Sequence, residues 1–195
     1  MDNLDELLGF LQSEKSEGRH VFSLASDDDF GFGVLTMEGY GTRQIFSFDF
    51  SFVENFLKST GREFCISAVA SWGSAFCFVL TEGLQMYAER RQVFTIENRW
   101  RKIKEAIETG WEDGNVITGL CCSKKSGQYL LVMTESTERQ WYEWDLNCSD
   151  DIDENYHPTI VLDDPKCHRG VLTVMTTNDN RSSFTRRVRH PIEFP

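Results

Sequence analysis

Val34-Leu35-Thr36, Val79-Leu80-Thr81, Val132-Met133-Thr134 and Val174-Met175-Thr176 repeat the pattern Val-[Leu/Met]-Thr along 195 residues with the Thr positions 45, 53 and 42 apart, and a further match, Val171-Leu172-Thr173, stands directly before the last. Only about 0.1 such tripeptides would arise by chance at ordinary residue frequencies. A second register recurs beside it. Arg43-Gln44-Ile45-Phe46, Arg91-Gln92-Val93-Phe94 and Arg139-Gln140-Trp141-Tyr142 follow one another at 48 and 48 residues, and a weaker copy, Arg181-Ser182-Ser183-Phe184, comes 42 later. A period of about 20 to 50 residues signals a repeat architecture, in which each unit completes its core by stacking on its neighbours.

Upstream of each Val-[Leu/Met]-Thr lies another run rich in β-branched and aromatic residues: Val21 to Ala25, Cys65 to Ala70, Val116 to Cys122 and Thr159 to Leu162. Short runs of this kind bounded by Gly, Asp or Ser read as strands, so each unit holds three. Helical signals separate the units. Asn3-Leu4-Asp5-Glu6 and Ser51-Phe52-Val53-Glu54 have the form of capping boxes. Thr95 is placed to cap a third helix, whose apolar stripe is Ile96, Trp100, Ile103, Ile107 and Trp111. The fourth segment, Ser149 to Tyr156, is acidic and short, and Pro158 should stop it.

The chain is therefore expected to be mainly β with short helices: four helix-plus-three-strand repeats, about 3–50, 51–94, 95–148 and 149–190, forming one repeat domain over 1–195. A ring of such units would be a small β-propeller-like closed array; an open repeat stack or a two-sheet barrel is the alternative. A hydrophobic content of 40% with 15 Phe suits such interleaved cores, and excludes a disordered, collagen-like or coiled-coil chain.

Trp111-Glu112-Asp113-Gly114-Asn115-Val116-Ile117-Thr118-Gly119-Leu120, with Gln128 to Thr134, resembles the repeated unit of the C-terminal, non-kinase domain of plant casein-kinase-one-like kinases. The match is best over residues 96 to 144. The resemblance implies a domain that accompanies a kinase and binds partners or substrates without catalytic residues of its own, with Trp111, Gly114 and Thr118 as structural positions. The kinase motifs G-x-G-x-x-G and H-R-D do not occur, and the tripeptide Asp29-Phe30-Gly31 stands without them, so phosphoryl transfer by this sequence is set aside.

Other chemistry is sparsely signalled. No C-x2-C or H-x3-H spacing announces a metal site, no G-x-S-x-G elbow announces a nucleophile, and no cofactor is expected. Cys65, Cys77, Cys121, Cys122, Cys148 and Cys167 read as reduced thiols, most among apolar neighbours. A candidate binding rim comes from the turns joining the first two strands of each unit: Asp27, Asp28 and Asp29 in unit one, Trp72 in unit two, Lys124 and Lys125 in unit three, and Asp163 and Asp164 in unit four. The recurring Thr36, Thr81, Thr134 and Thr176, together with Arg43, Arg91 and Arg139, read as structural devices between units.

A net charge of -11 argues against nucleic acid and against an anionic membrane, and favours a basic protein partner. The basic run Arg186 to His190 is read as pairing internally, closing the last unit on the first, and a homo-oligomer is compatible with the same pattern. With an acidic N-terminus and no long apolar run, the expected compartment is cytoplasmic or nuclear. The expected function is a non-catalytic recognition or scaffold module. Alternatives are a carbohydrate or small-ligand binder stacking on Trp72, Trp141, Tyr142 and Trp144, and an enzyme whose site is assembled across repeats.

Overall fold

Each β-branched and aromatic run becomes a strand, and each amphipathic stretch a helix. The computed structural model describes residues 4–27, 31–84, 90–144, 156–163 and 171–177. In chain order the elements are α1 (Leu4–Ser16), β1 (Arg19–Asp27), β2 (Gly31–Glu38), β3 (Arg43–Ser47), α2 (Phe50–Thr60), β4 (Phe64–Trp72) and β5 (Ala75–Glu82). They continue with β6 (Gln92–Glu97), α3 (Trp100–Glu112), β7 (Asn115–Cys122), β8 (Tyr129–Glu135), β9 (Gln140–Trp144), β10 (Tyr156–Asp163) and β11 (Val171–Thr177). The protein is thus mainly β with three described helices.

The sheets do not coincide with the sequence units. The third strands of units one, two and three leave their own hairpins and pair with the next, giving sheets β3-β5-β4, β6-β8-β7 and β9-β11-β10, while sheet one holds only β1 and β2 among the described residues. All pairings are antiparallel. The three strands of a sequence unit are thus divided between two sheets. Because β3, β6 and β9 each carry the chain into the following sheet, successive sheets are joined by a strand as well as by packing.

The helix caps also differ from expectation. Asp49, not Ser51, caps α2, its carboxylate accepting from the Phe52 amide. Thr95 lies inside β6, and α3 starts after Arg99 without a side-chain cap. Asn3 and most of Ser149 to Tyr156 lie outside the described residues; Pro158, expected to stop a helix, sits within β10.

Every cluster of the core has the same recipe. α1 packs Leu7 and Leu11 between Val21 and Leu24 of sheet one and Ala68, Cys77 and Val79 of sheet two. α2 sets Val53 between Ile66, Phe78 and Leu80 of sheet two and Leu130 and Val132 of sheet three. α3 sets Ile103 and Ile107 between Ile117, Leu131 and Met133 of sheet three and Leu172 and Val174 of sheet four. Sheets two and three therefore each have one face toward their own helix and one toward the preceding unit. Burying each such side chain contributes roughly 1.5–3 kcal/mol, so a unit isolated from its neighbour would lose about half its core.

The first strands carry this succession, β1 packing on β4, β4 on β7 and β7 on β10. No comparable packing joins β10 to β1 among the described residues. Several small sheets in sequence, none of them closed, make up the described architecture.

Candidate functional site

The two sequence registers meet in space at the seams between sheets. A β-bulge interrupts the first strand of every unit, between Val21 and Ser23, Ile66 and Ala68, Ile117 and Gly119, and Pro158 and Ile160. The residue before the bulge presents its peptide groups outward from an edge strand, and the Gln of the following Arg-Gln copy meets them. Ile66 donates its N–H to Gln92 Oε1 at 2.7 Å, while Gln92 Nε2 donates to the Ile66 carbonyl at 3.0 Å and to Thr134 Oγ1 at 2.9 Å. Gln44 makes the same three bonds with Val21 and Thr81, and Gln140 with Ile117 and Thr176. A side-chain amide has the donor and acceptor of a peptide group, so each Gln supplies a bulged edge with the partner a further strand would give.

The bulged residue completes the network where it bears a hydroxyl. Ser67 shares a hydrogen bond with Thr81 at 2.6 Å and Thr118 one with Thr134 at 2.7 Å. Gly114 leaves α3 at φ 77°, where L side chains are strained. Trp111 packs against the α3 cluster, 5.8 Å from the Tyr142 ring, and its buried indole N–H has no partner among the described residues. Arg43 lies opposite Glu82, 3.4 Å from its carboxylate, and 4.9 Å over the Phe64 ring. The backbone of Arg91 exchanges bonds with Glu135. Both bridge adjacent units, and Arg139 stands at the same place before β9.

Sheet one departs from this scheme. Val21 lies opposite Thr36, whereas Ile66 faces Leu80, Ile117 faces Met133 and Pro158 faces Met175. The first Val-Leu-Thr is thus slipped by one residue, and Met37, not Thr36, occupies the position of Thr81. Slippage turns Thr36 toward α1, where it donates to Glu14 at 2.6 Å. Arg19 grips the same carboxylate at 2.7 and 2.9 Å. These bonds, Arg19 first and Thr36 second, pull the Glu14 carboxyl down to about 2.

At the hairpin ends, serines tie three units together. Ser26 Oγ donates to the Ser71 carbonyl, Ser71 Oγ to the Cys122 carbonyl at 2.9 Å, and Ser123 Oγ to the Gly73 carbonyl at 2.7 Å. These bonds bring the end of β1, the Trp72-Gly73 turn and the loop bearing Lys124 and Lys125 to one rim. Lys124 and Lys125 are exposed there, whereas Trp72 is half-buried against the α1 cluster. Asp27 and Asp163 end β1 and β10, the equivalent strands. Asp28, Asp29 and Asp164, like the side chains of Asp27, Asp163 and Trp144, lie outside the described residues. Tyr142 packs between Trp100 and Trp111, where burial pushes its hydroxyl up to about 12.

Burial likewise pushes the Cys65 and Cys77 thiols up to about 12 and raises that of Cys121. A thiol so raised stays protonated at neutral pH and is a poor nucleophile. Cys121 and Cys122 face opposite clusters, as adjacent residues on a strand must. No helix among the described residues is long and apolar enough to cross a membrane.

No protein-family model matches the chain, and neither a curated protein nor a solved structure is significantly similar to it. What the seams and the rim do is therefore argued from their geometry alone. Gln44, Gln92 and Gln140, which follow the repeated Arg in three of its four copies, are thus the residues that carry the seam, and their recurrence is the sequence signal for it.

Proposed function

We propose that this protein is a non-catalytic recognition or scaffold module whose hairpin rim engages a protein partner, and that its units belong to a propeller-like closed array. The observation that carries the reading is the run of serine bonds from Ser26 through Ser71 to Cys122 and Ser123, which holds the hairpin ends of three units in fixed relation. Loops fixed on a rigid scaffold bind with little ordering cost, which is the usual way such scaffolds carry function. The rim presents Lys124 and Lys125 on one unit, and the sequence sets Asp27 and Asp163 at the ends of the equivalent strands of two others, while the chain as a whole is acidic. A basic partner is attracted by the net charge of -11.

The test is affinity purification with the intact protein beside two variants, Lys124→Glu with Lys125→Glu and Asp163→Asn with Asp164→Asn. Glu54→Ala on the exposed side of α2 serves as the control. Loss of a partner from a rim variant but not from the control, and weakening by salt, is the expected result. Equal recovery of every partner by all four proteins would overturn the rim.

A further inference from the structure

Sheets two, three and four each receive a strand from the unit before, and sheet one has no described strand on the outer edge of β2. Its outer face is largely exposed as well, with the Tyr40 ring 5.9 Å from that of Phe22. Phe22, Leu35 and Met37 are 38%, 58% and 43% exposed, at positions filled by Ser67, Val79 and Thr81 in sheet two, where the last two are fully buried beneath the preceding unit. A hydrophobic edge strand with an uncovered face is a template for another strand.

We infer that the edge of β2 takes residues Arg181–Phe184 of a second copy of this chain, so that two four-unit arrays complete one another. This deepens the closed-array part of the reading above and does not depend on the rim.

The complementarity is legible position by position once the one-residue slip of β2 is allowed for. In sheet two Arg43 faces Glu82, Gln44 faces Thr81, Ile45 faces Leu80 and Phe46 faces Val79. Transferred to sheet one, the same register sets Arg181 opposite Glu38, Ser182 opposite Met37, Ser183 opposite Thr36 and Phe184 opposite Leu35. The charge pair and the aromatic–aliphatic pair are kept. The two middle positions change on both sides together. Where the slip replaces an apolar Leu80 or Met133 by Thr36, the incoming residue is Ser183 instead of Ile45 or Val93. Where it replaces the Thr that a Gln bonds by Met37, the incoming residue is Ser182 instead of Gln.

The other partner of that missing Gln is missing too. A Gln at position 182 would clamp the residue before the bulge in β10, which is Pro158, and proline has no N–H to donate. Continued along β2, the register carries Arg186, Arg187 and Arg189 beside residues 33, 32 and 30, toward the acidic turn at Asp27, Asp28 and Asp29. The lead from Thr176 to Arg181 is five residues, the same as from Thr134 to Arg139, whose strand does cross into the following sheet. A second copy is favoured over the chain's own tail because the first strands pack in open succession, β1 on β4, β4 on β7 and β7 on β10, and no comparable packing returns from β10 to β1 among the described residues. A reciprocal exchange between two copies is a closed, two-fold arrangement that leaves neither edge open.

The experiment uses the full chain with Cys148 and Cys167 changed to Ser. Two differently tagged preparations, one Met37→Cys and one Ser182→Cys, are mixed and mildly oxidised, with Ser183→Cys as the out-of-register control. The expected result is a disulfide between copies, formed at least tenfold faster for Ser182→Cys than for Ser183→Cys. The unmodified protein should sediment at twice its 22.5 kDa mass, and the charge reversal Arg181→Glu should return it to the monomer while its circular dichroism is unchanged. A monomeric wild type overturns the proposal, as does equal cross-linking by both positions. So does a disulfide formed within one chain carrying both Met37→Cys and Ser182→Cys at dilution. A monomer that still captures its rim partner would sink this inference and leave the recognition reading standing.

Discussion

Gln92 Nε2 lies 2.9 Å from Thr134 Oγ1 across 42 residues of sequence, joining the two registers of the repeat in one hydrogen bond. The same Gln satisfies both peptide groups of Ile66, so one side chain serves an edge strand of one sheet and the middle strand of the next. Replacing it with leucine keeps the bulk, strands both peptide groups of Ile66 and leaves Thr134 with Thr118 alone. Gln92→Leu is expected to cost about 2–3 kcal/mol, read as a lower urea midpoint at unchanged slope. Gln92→Glu should lose nearly as much, since a carboxylate cannot donate to the Ile66 carbonyl. Arg91→Ala, whose bonds to Glu135 run through the backbone, should stay within about 1 kcal/mol of wild type. A Gln92→Leu protein as stable as Arg91→Ala would show that the clamp does not hold the sheets together.

Glu14 gives sheet one a pH dependence. Its folded carboxyl titrates at about 2, below the ordinary 4.5, because Arg19 and Thr36 bond its charged form. A depressed carboxyl contributes stability above its unfolded value, and that contribution fades as pH falls from about 4.5 through about 2. Glu14→Gln should therefore be less stable than wild type near neutrality, and the gap should close toward pH 2. Denaturant curves of both proteins across that range check it. A gap of constant size would mean that Glu14 acts by packing and not by charge.

The repeat told where the strands and helices would fall because hydrophobic periodicity and turn residues are local signals. Strand exchange between units was not legible. Arg43 to Phe46 reads the same whether it pairs with β2 or with β5, and only the fold decides. The slip at Thr36 was hidden for a related reason: one residue of register exchanges the two faces of a strand without altering its composition. Asp49 displaced Ser51 as the α2 cap because a cap must precede the first helical turn, and Phe50 already belongs to it. The rim followed from topology, since hairpins of equivalent units end on one side, but the serines that tie it together were too common a residue to stand out.

The thiols supply an independent reading of the core. Cys65 and Cys77 are buried and titrate near 12, so a thiol reagent at pH 8 finds almost no thiolate on them. Cys121, raised by burial as well, should behave alike. Labelling of these three is expected only as fast as the sheets open, and to become immediate in denaturant. Burst labelling of any of them in the native protein, identified by peptide mass, would contradict their placement.

Gly119 tests the seam between sheets two and three. A Cβ there would meet Val69 Cγ2 at 2.8 Å and Val132 Cβ at 3.3 Å, where β4 packs on β7. No positive φ is involved, so the penalty of Gly119→Ala is steric, expected at about 1–3 kcal/mol. Trimming the neighbour should relieve it: Val69→Ala removes the offending methyl, and the double variant Gly119→Ala with Val69→Ala should be more stable than the sum of the two single losses predicts. Gly114→Ala provides the contrast. Its added methyl meets nothing within 4 Å, and its cost, about 1 kcal/mol, comes from the backbone at φ 77°. That loss should be untouched by Val69→Ala. Strict additivity for Gly119 and Val69 in a thermodynamic cycle would show that the two sheets do not meet at this point.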